Sequence, residues 1–365
     1  MSRLPDDARF ATRAVHAGLE PDPSYRSVIP PIHQTSTYVQ PAPGEYVEEY
    51  DYARSANPTR AALERAIGEL EGGHGVAFAS GMAATHALIT AHCQAGDHVI
   101  LPRDLYGGTY RLLDKVLARF GVAYDMVDQT DLGALERAVR PETTLIWVET
   151  PTNPLLNVVD IEAVVARSGP ALVAVDNTFA TPVIQRPLEA GADAVVHSAT
   201  KYLGGHSDVV GGLLVARDED LHERVRFIQN AVGAVPGPFD CFLVHRGLRT
   251  LHLRVAAHGE NGCAVSEFLR SAPGVEDVRW PGFGGMVSFQ HPDATGIAAA
   301  TEVFSLAESL GGVESLIEIP QVMTHHSVED SDAAVPADLI RLSCGVEAAE
   351  DLVADLRRAL GSQDR

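Results

Sequence analysis

The residues with the greatest chemical reach lie in one stretch, 195–212, centred on Lys201. A short apolar run, 194–196, delivers the turn Ser198-Ala199-Thr200-Lys201, and a glycine-rich loop follows. Burial at the mouth of a strand disfavours the charged amine and lowers its pKa from about 10.4. A neutral lysine amine is a nucleophile that can form a Schiff base. The short hydroxyls of Ser198 and Thr200 beside it suit phosphate oxygens. A surface lysine is the plainer reading of most lysines, but the strand before this one and the glycines after it favour the reactive amine.

Other segments carry matching chemistry. Ser80-Gly81-Met82-Ala83-Ala84 falls where a strand meets a helix. Backbone N–H groups there, uncluttered at Gly81, bind phosphate well, and the G-x-G-x-x-G repeat of a nicotinamide site is absent. Asp176 ends the apolar run 171–175. It either caps the next turn or holds a pyridinium nitrogen protonated, the charge pair that makes pyridoxal phosphate an electron sink. Tyr106-Gly107-Gly108-Thr109 offers a ring that either packs or, with its face left open by the glycines, stacks on a flat cofactor. In Thr150-Pro151-Thr152-Asn153-Pro154 two prolines fix a turn, which is rigid for its own sake or aims Asn153. Arg341 stands alone in the apolar run 340–342; a buried arginine demands a partner, and a substrate carboxylate gripped bidentately is a good one. Tyr52 and Arg54 precede the first domain, where an arm reaching a neighbouring subunit's phosphate explains them better than solvation. His33, His206, His325 and His326 read as structural or surface residues.

Positioning these groups requires a sizeable scaffold. The chain has 365 residues, a length suited to two or three domains. It is 45% hydrophobic and 21% charged, as globular proteins are. A formal net charge of -21 argues against nucleic acid and anionic membrane partners. Any anionic substrate must then be met by local basic residues. The four cysteines, Cys93, Cys241, Cys263 and Cys344, make no CxxC pair and no zinc spacing, which suits reduced thiols in a cytoplasmic protein. Residues 1–13 lack the apolar core of a signal peptide. The most apolar long window, 76–93, carries Ser80, Thr85, His86 and His92 and does not suit a membrane span.

Residues 1–56 are proline-rich and without period, an extended arm. Asn57 and Pro58 then form a helix start. Short apolar strands are expected at 76–79, 98–101, 123–127, 144–148, 171–175, 194–196 and 212–215. Helices are expected from about 81 and at 109–120, 132–139 and 161–166. This alternation predicts an α/β domain with a mostly parallel sheet covered on both faces. Ligands on such sheets sit beyond the carboxyl ends of the strands. A helix over 218–232 and a long helical region over 240–269, interrupted near Arg246-Gly247, lead into a smaller α+β domain. Its strands are expected at 286–289 and 339–342, and its last helix at 347–360. The reading is thus an arm (1–56), a large domain (57–245) and a C-terminal domain (246–365).

With these residues assembled, the sequence resembles the cystathionine γ-synthase and γ-lyase family, the Cys/Met-metabolism enzymes that use pyridoxal phosphate. The resemblance runs from about Thr12 to the C-terminal helix. It rests on Tyr52-x-Arg54-x-x-Asn57-Pro58-Thr59, Ala79-Ser80-Gly81-Met82, Tyr106-Gly107-Gly108-Thr109, Glu149-Thr150-Pro151-Thr152-Asn153-Pro154, Asp176-Asn177-Thr178, Ser198-Ala199-Thr200-Lys201 and Arg341-Leu342-Ser343. It implies the fold-type I aminotransferase architecture and a homotetramer made of two catalytic dimers. It also implies a cofactor Schiff base at Lys201, Asp176 on the pyridine nitrogen and Tyr106 stacked on the ring. Phosphate contacts are implied at Gly81, Met82, Ser198 and Thr200, with Tyr52 and Arg54 arriving from the adjacent subunit. Arg341, Ser315 and Asn153 would meet the substrate α-carboxylate, and Arg111 a distal one.

Within that family, methionine γ-lyases carry a cysteine where this chain has Gly108, and some bacterial synthases an arginine where it has Ser55. Residues 230–236 and Glu318-Ile319-Pro320 resemble cystathionine γ-lyases. The expectation is α,γ-elimination of L-cystathionine to cysteine, 2-oxobutanoate and ammonia. Cystathionine synthesis from an O-acylated homoserine is the alternative, and a pyridoxal phosphate-binding protein without turnover the rival from another class. Two departures from the family pattern stand out: Cys344 occupies a valine or threonine position, and the segment between Trp280 and Met286 is short.

Overall fold

Twelve strands, β1–β12 in chain order, form among the described residues, most of them from short apolar runs. The computed structural model describes residues 4–5, 7–325 and 334–361, so His326 lies outside the described residues. The chain forms two compact units. One joins the N-terminal residues as far as His92 with Arg186–His252, and the other joins Cys93–Gln185 with the chain from Leu253 onward.

In the first unit, β7 (Gly212–Ala216) pairs antiparallel with both β1 (His74–Phe78) and β6 (Ala194–Ser198). β7 is the exception that a mostly parallel sheet allows, and it has a topological reason. A parallel return needs a crossover, usually a helix, and residues 199–211 contain none. The helix Pro58–Glu71 starts as the sequence predicts: Asn57 accepts hydrogen bonds from the N–H groups of Thr59 and Arg60, and Pro58 is the first helical residue. The helix Glu219–Val232 is capped by Asp218. A short helix, Phe10–His16, was not expected; it has no side-chain cap and is too brief to show a period. Between it and Asn57 the described chain has neither helix nor strand, only the bridges Thr37–Tyr52 and Val47–Tyr50.

The second unit contains the parallel strands β2 (His98–Pro102), β3 (Ala123–Val127), β4 (Thr143–Glu149) and β5 (Leu172–Asp176). β2 lies between β3 and β4, and β4 pairs with β5. The helix expected at 109–120 is broken into a helix Gly107–Arg111, a wide π turn Leu112–Val116 and a tight 3-10 turn Leu117–Phe120. Gly121, left-handed at φ 85°, ends it. The helical region expected at 240–269 forms as two helices, Pro238–Leu248 in the first unit and Leu251–Arg270. A separate mixed sheet has the order β10 (Ser305–Leu306), β11 (Leu316–Glu318), β12 (Leu339–Ser343), β9 (Met286–Gln290), β8 (Glu276–Arg279). Phe289, Phe304, Ile317, Ile340 and Leu342 form its core with Leu352 and Leu356 of the final helix, Ala349–Gly361. Among the described residues no helix is long and apolar enough to cross a membrane.

All four thiols are pushed up by burial. Cys93 rises to about 11, Cys241 and Cys344 rise well beyond the ordinary thiol range, and Glu267 adds to the rise at Cys263.

One close approach fixes where β7 begins. A Cβ at Gly212 would lie 2.1 Å from the carbonyl oxygen of Ser80, a backbone atom with nowhere to go. Gly212→Ala should therefore cost about 3 kcal/mol as an overpacked core does, read as a lower thermal midpoint. An unchanged midpoint would show that the strand and the Ser80 turn can separate freely.

Candidate active site

In the first unit, the candidate residues converge on the end of β6. Ser198 is its last residue and lies opposite Gly212. Lys201 is half-buried; its N–H donates to the Ser198 carbonyl (3.2 Å), and its carbonyl accepts from Gly205 (2.8 Å). Thr200 is tied to the approach to β7: its N–H donates to the Gly211 carbonyl (3.3 Å), and its Oγ1 accepts from the Gly211 N–H (3.1 Å). Gly81 opens the helix Gly81–His92, followed by the half-buried Met82. Ser80 Oγ accepts from the Ala83 N–H at 3.1 Å. A Cβ at Gly81 would stand only 3.0 Å from Ser198 Cα and Cβ. A helix start and a strand-end hydroxyl thus meet with room for no side chain at residue 81. That cradle of N–H and O–H donors fits a phosphate.

Tyr52 and Arg54 are exposed, with the guanidinium 5.6 Å from the ring centre. Arg54 Nη1 donates to the carbonyl (2.6 Å) and to Oδ1 (3.0 Å) of Asn230. Beneath them lies a residue the sequence reading passed over. Arg60, 2% exposed, donates to the carbonyls of Ala53 (2.7 Å), Arg54 (3.3 Å) and Ser55 (2.8 Å) and pairs with Glu64 at 3.5 Å. It holds the turn that presents Tyr52 and Arg54. A signal was available: Arg60 shares a helix face with Leu63 and Ile67, where a charge must find partners.

In the second unit, Asp176 ends β5 half-buried, and its Oδ1 accepts from the Thr178 N–H at 3.0 Å. Its register neighbour on β4 is Glu149, also a strand-end carboxylate and not singled out in the sequence. Glu149 Oε2 accepts from the Tyr106 N–H, and Oε1 from the Asn153 N–H, each at 2.9 Å. Burial, followed by the charge of Asp176, raises the Glu149 carboxyl well above the usual range. Tyr106 is 38% exposed. Burial raises its hydroxyl, while the exposed Arg111 at the end of the following helix pulls the other way.

The turn after β4 is anchored a second time. Asp104 accepts from the Thr152 hydroxyl, from the Leu155 N–H (3.2 Å) and from Asn157 Nδ2 (3.4 Å), and burial raises its carboxyl to about 6. Asn153 Oδ1 accepts from Arg341 Nη1 at 2.8 Å. Arg341 is 3% exposed, and its Nη2 reaches the Ser309 carbonyl (3.0 Å) and Glu318 Oε2 (2.8 Å). The buried arginine foreseen in the sequence thus joins Asn153. Ser315 is also buried, but its hydroxyl donates to Glu347 (2.8 Å) and accepts from the Gly345 N–H (2.8 Å).

His325 supports the same turn from below. Its Nε2 lies 3.1 Å from the Asn153 carbonyl and its Nδ1 2.9 Å from Thr324 Oγ1. His33 and His206, by contrast, are exposed. Burial, helped by the charge of Arg341, lowers the His325 ring to about 4, whereas an unfolded histidine titrates near 6.5. Between these values the unfolded chain binds the proton and the folded chain does not. This contribution is therefore full above about pH 6.5 and is lost as pH falls towards 4. His325→Gln should lose less stability between pH 7 and pH 5 than the parent does. An equal loss, measured by denaturant unfolding at both pH values, would mean that the folded ring takes up its proton as the unfolded one does.

With the geometry in hand, known proteins can be compared. A family model described as Cys/Met metabolism PLP-dependent enzyme matches residues 11–361. The chain is 52% identical over 374 residues to the cystathionine gamma-synthase of Mycobacterium bovis, covering 96% of each. It is 48% identical to the cystathionine beta-lyase of Lactococcus lactis subsp. cremoris, covering 96% of this chain and 98% of that one. The crystal structure of cystathionine gamma-lyase from Lactobacillus plantarum complexed with L-serine superposes with a TM-score of 0.94 at 42% identity, over 97% of this chain and 99% of that one. The architecture is that of fold-type I, and the chain belongs to the Cys/Met-metabolism family of pyridoxal phosphate-dependent enzymes.

Proposed function

We propose that the chain acts at the γ-carbon of a sulfur-containing amino acid, eliminating cysteine from L-cystathionine to leave 2-oxobutanoate and ammonia. The observation that supports an amino-acid substrate is the buried Arg341–Asn153 pair, which would grip an α-carboxylate. Pyridoxal phosphate, when bound, supplies an electron sink for charge developing on the substrate carbons. The donor cradle at Gly81, Met82, Ser198 and Thr200 holds its phosphate. Tyr52 and Arg54 do the same for a neighbouring subunit, so the working unit is a dimer, two of which make a tetramer. The Asp176 carboxylate would hold positive charge at the ring nitrogen, and Tyr106 would pack against the ring.

The Lys201 amine binds the cofactor and moves protons to and from the substrate's Cα and Cβ. The Tyr106 hydroxyl, raised in pKa by burial, stays protonated at neutral pH and donates to the departing sulfur. Arg341 and Asn153 take the α-carboxylate, Ser315 being held by Glu347 and Gly345, and Arg111 takes a distal one against the net charge of -21. The arm (1–56), large domain (57–245) and C-terminal domain (246–365) are the functional divisions, and the setting is cytoplasmic.

Elimination is supported by Glu318-Ile319-Pro320 and residues 230–236, and by Gly108 and Ser55 on the thiol side. A second reading, γ-replacement of an O-acylated homoserine by cysteine, is favoured by the 52% identity to a protein named cystathionine gamma-synthase.

Two experiments test this. Lys201→Ala should abolish turnover and the visible absorbance of the lysine-bound cofactor; near-normal turnover would sink the reading. In the parent enzyme, 2-oxobutanoate should form from L-cystathionine faster than cystathionine forms from O-succinylhomoserine and cysteine. The opposite order would assign replacement while leaving cofactor and lysine in place.

A further inference from the structure

We infer that Glu149 is a positioning residue that sets Tyr106 and the Asn153–Arg341 grip in one frame. The inference rests on the proposed role of Arg341 as the α-carboxylate grip. Glu149 ends β4 and is 5% exposed. Its two oxygens are divided between two segments, one accepting the Tyr106 N–H and the other the Asn153 N–H, both at 2.9 Å. The first bond holds the residue that precedes the short helix Gly107–Arg111. The second orients the residue whose Oδ1 receives Arg341 Nη1 at 2.8 Å. A single carboxylate therefore joins Tyr106 to Asn153, and through Asn153 to the arginine.

Holding the loop is not a sufficient account of Glu149. Asp104 already anchors that loop through Thr152, Leu155 and Asn157. The bond from Glu149 adds the orientation of Asn153 itself, and it is the one that continues to Arg341. A buried carboxylate beside Asp176 is unfavourable, and burial and that neighbour both push its proton affinity up. Two backbone donors offset this. A glutamine of the same shape has one acceptor oxygen, and its amide group would face the second N–H donor.

The test is a titration of full-length, cofactor-loaded enzyme with glycine and with methylamine, followed by the visible absorbance of the cofactor. Both are amines, and only glycine carries the carboxylate. Glu149→Gln leaves a buried donor unpaired, so the apparent Kd for glycine should rise about tenfold, while that for methylamine stays within about twofold. No change for glycine, or an equal rise for both amines, would overturn the inference. Arg341→Ala, titrated alongside, separates the two claims. If it weakens glycine selectively and Glu149→Gln does not, only the role of Glu149 fails. If Arg341→Ala leaves the ratio of the two amines at the parent value, the grip fails and the inference with it. Should Glu149→Gln not fold, Glu149→Asp, too short to reach both N–H groups, carries the same expectation.

Discussion

Burying an arginine dictates much of the second unit. Arg341 sits in the middle strand of a five-stranded sheet, and a guanidinium there demands partners, which its two Nη nitrogens find. Each partner comes from a different segment: Glu318 from the neighbouring strand, Ser309 from the loop before it, and Asn153 from the turn after β4. The register of β11 against β12 is constrained accordingly, because a slip of one residue would take Glu318 away from Arg341. The same three contacts fix the guanidinium in one orientation. The groups that make the arginine tolerable in the interior also leave it aimed.

A second constraint concerns negative charge. Glu149 and Asp176 are register neighbours at the ends of adjacent parallel strands, so two carboxylates occupy one small region of the interior. They are treated differently. Glu149 receives two backbone donors and rises in proton affinity through burial and through its neighbour. Asp176 is only half-buried and receives the Thr178 N–H. The more buried member of the pair is the one given two backbone donors.

How far the sequence discloses this arrangement depends on how local each signal is. The start at Asn57-Pro58, the strand ending at Ser198 and the lone arginine of β12 are all local patterns, and each stands where the pattern puts it. Strand order and partners are non-local. Nothing near residue 212 announces that β7 runs antiparallel; that follows from the missing crossover helix. Glu149 has the same sequence signature as Asp176, a carboxylate closing an apolar strand, but its partners lie 43 residues upstream and four downstream. Arg60 stands on the apolar face of its helix, which signals that it needs partners, but the three carbonyls that supply them are not legible locally. The helix expected at 109–120 shows the converse case, since apolar spacing alone does not distinguish an α-helix from a π turn joined to a 3-10 turn.

The four raised thiols have a consequence for the chain's own sulfur. Thiolate, not thiol, attacks disulfides and electrophiles and binds metals. With Cys241 and Cys344 buried and Cys93 displaced to about 11, little thiolate exists near neutrality. Mixed disulfides with small thiols and oxidation to sulfenic acid are both slow under those conditions. A protein whose family handles sulfur amino acids thus keeps three of its own four sulfurs, Cys93, Cys241 and Cys344, poorly reactive towards the small-molecule thiols it meets.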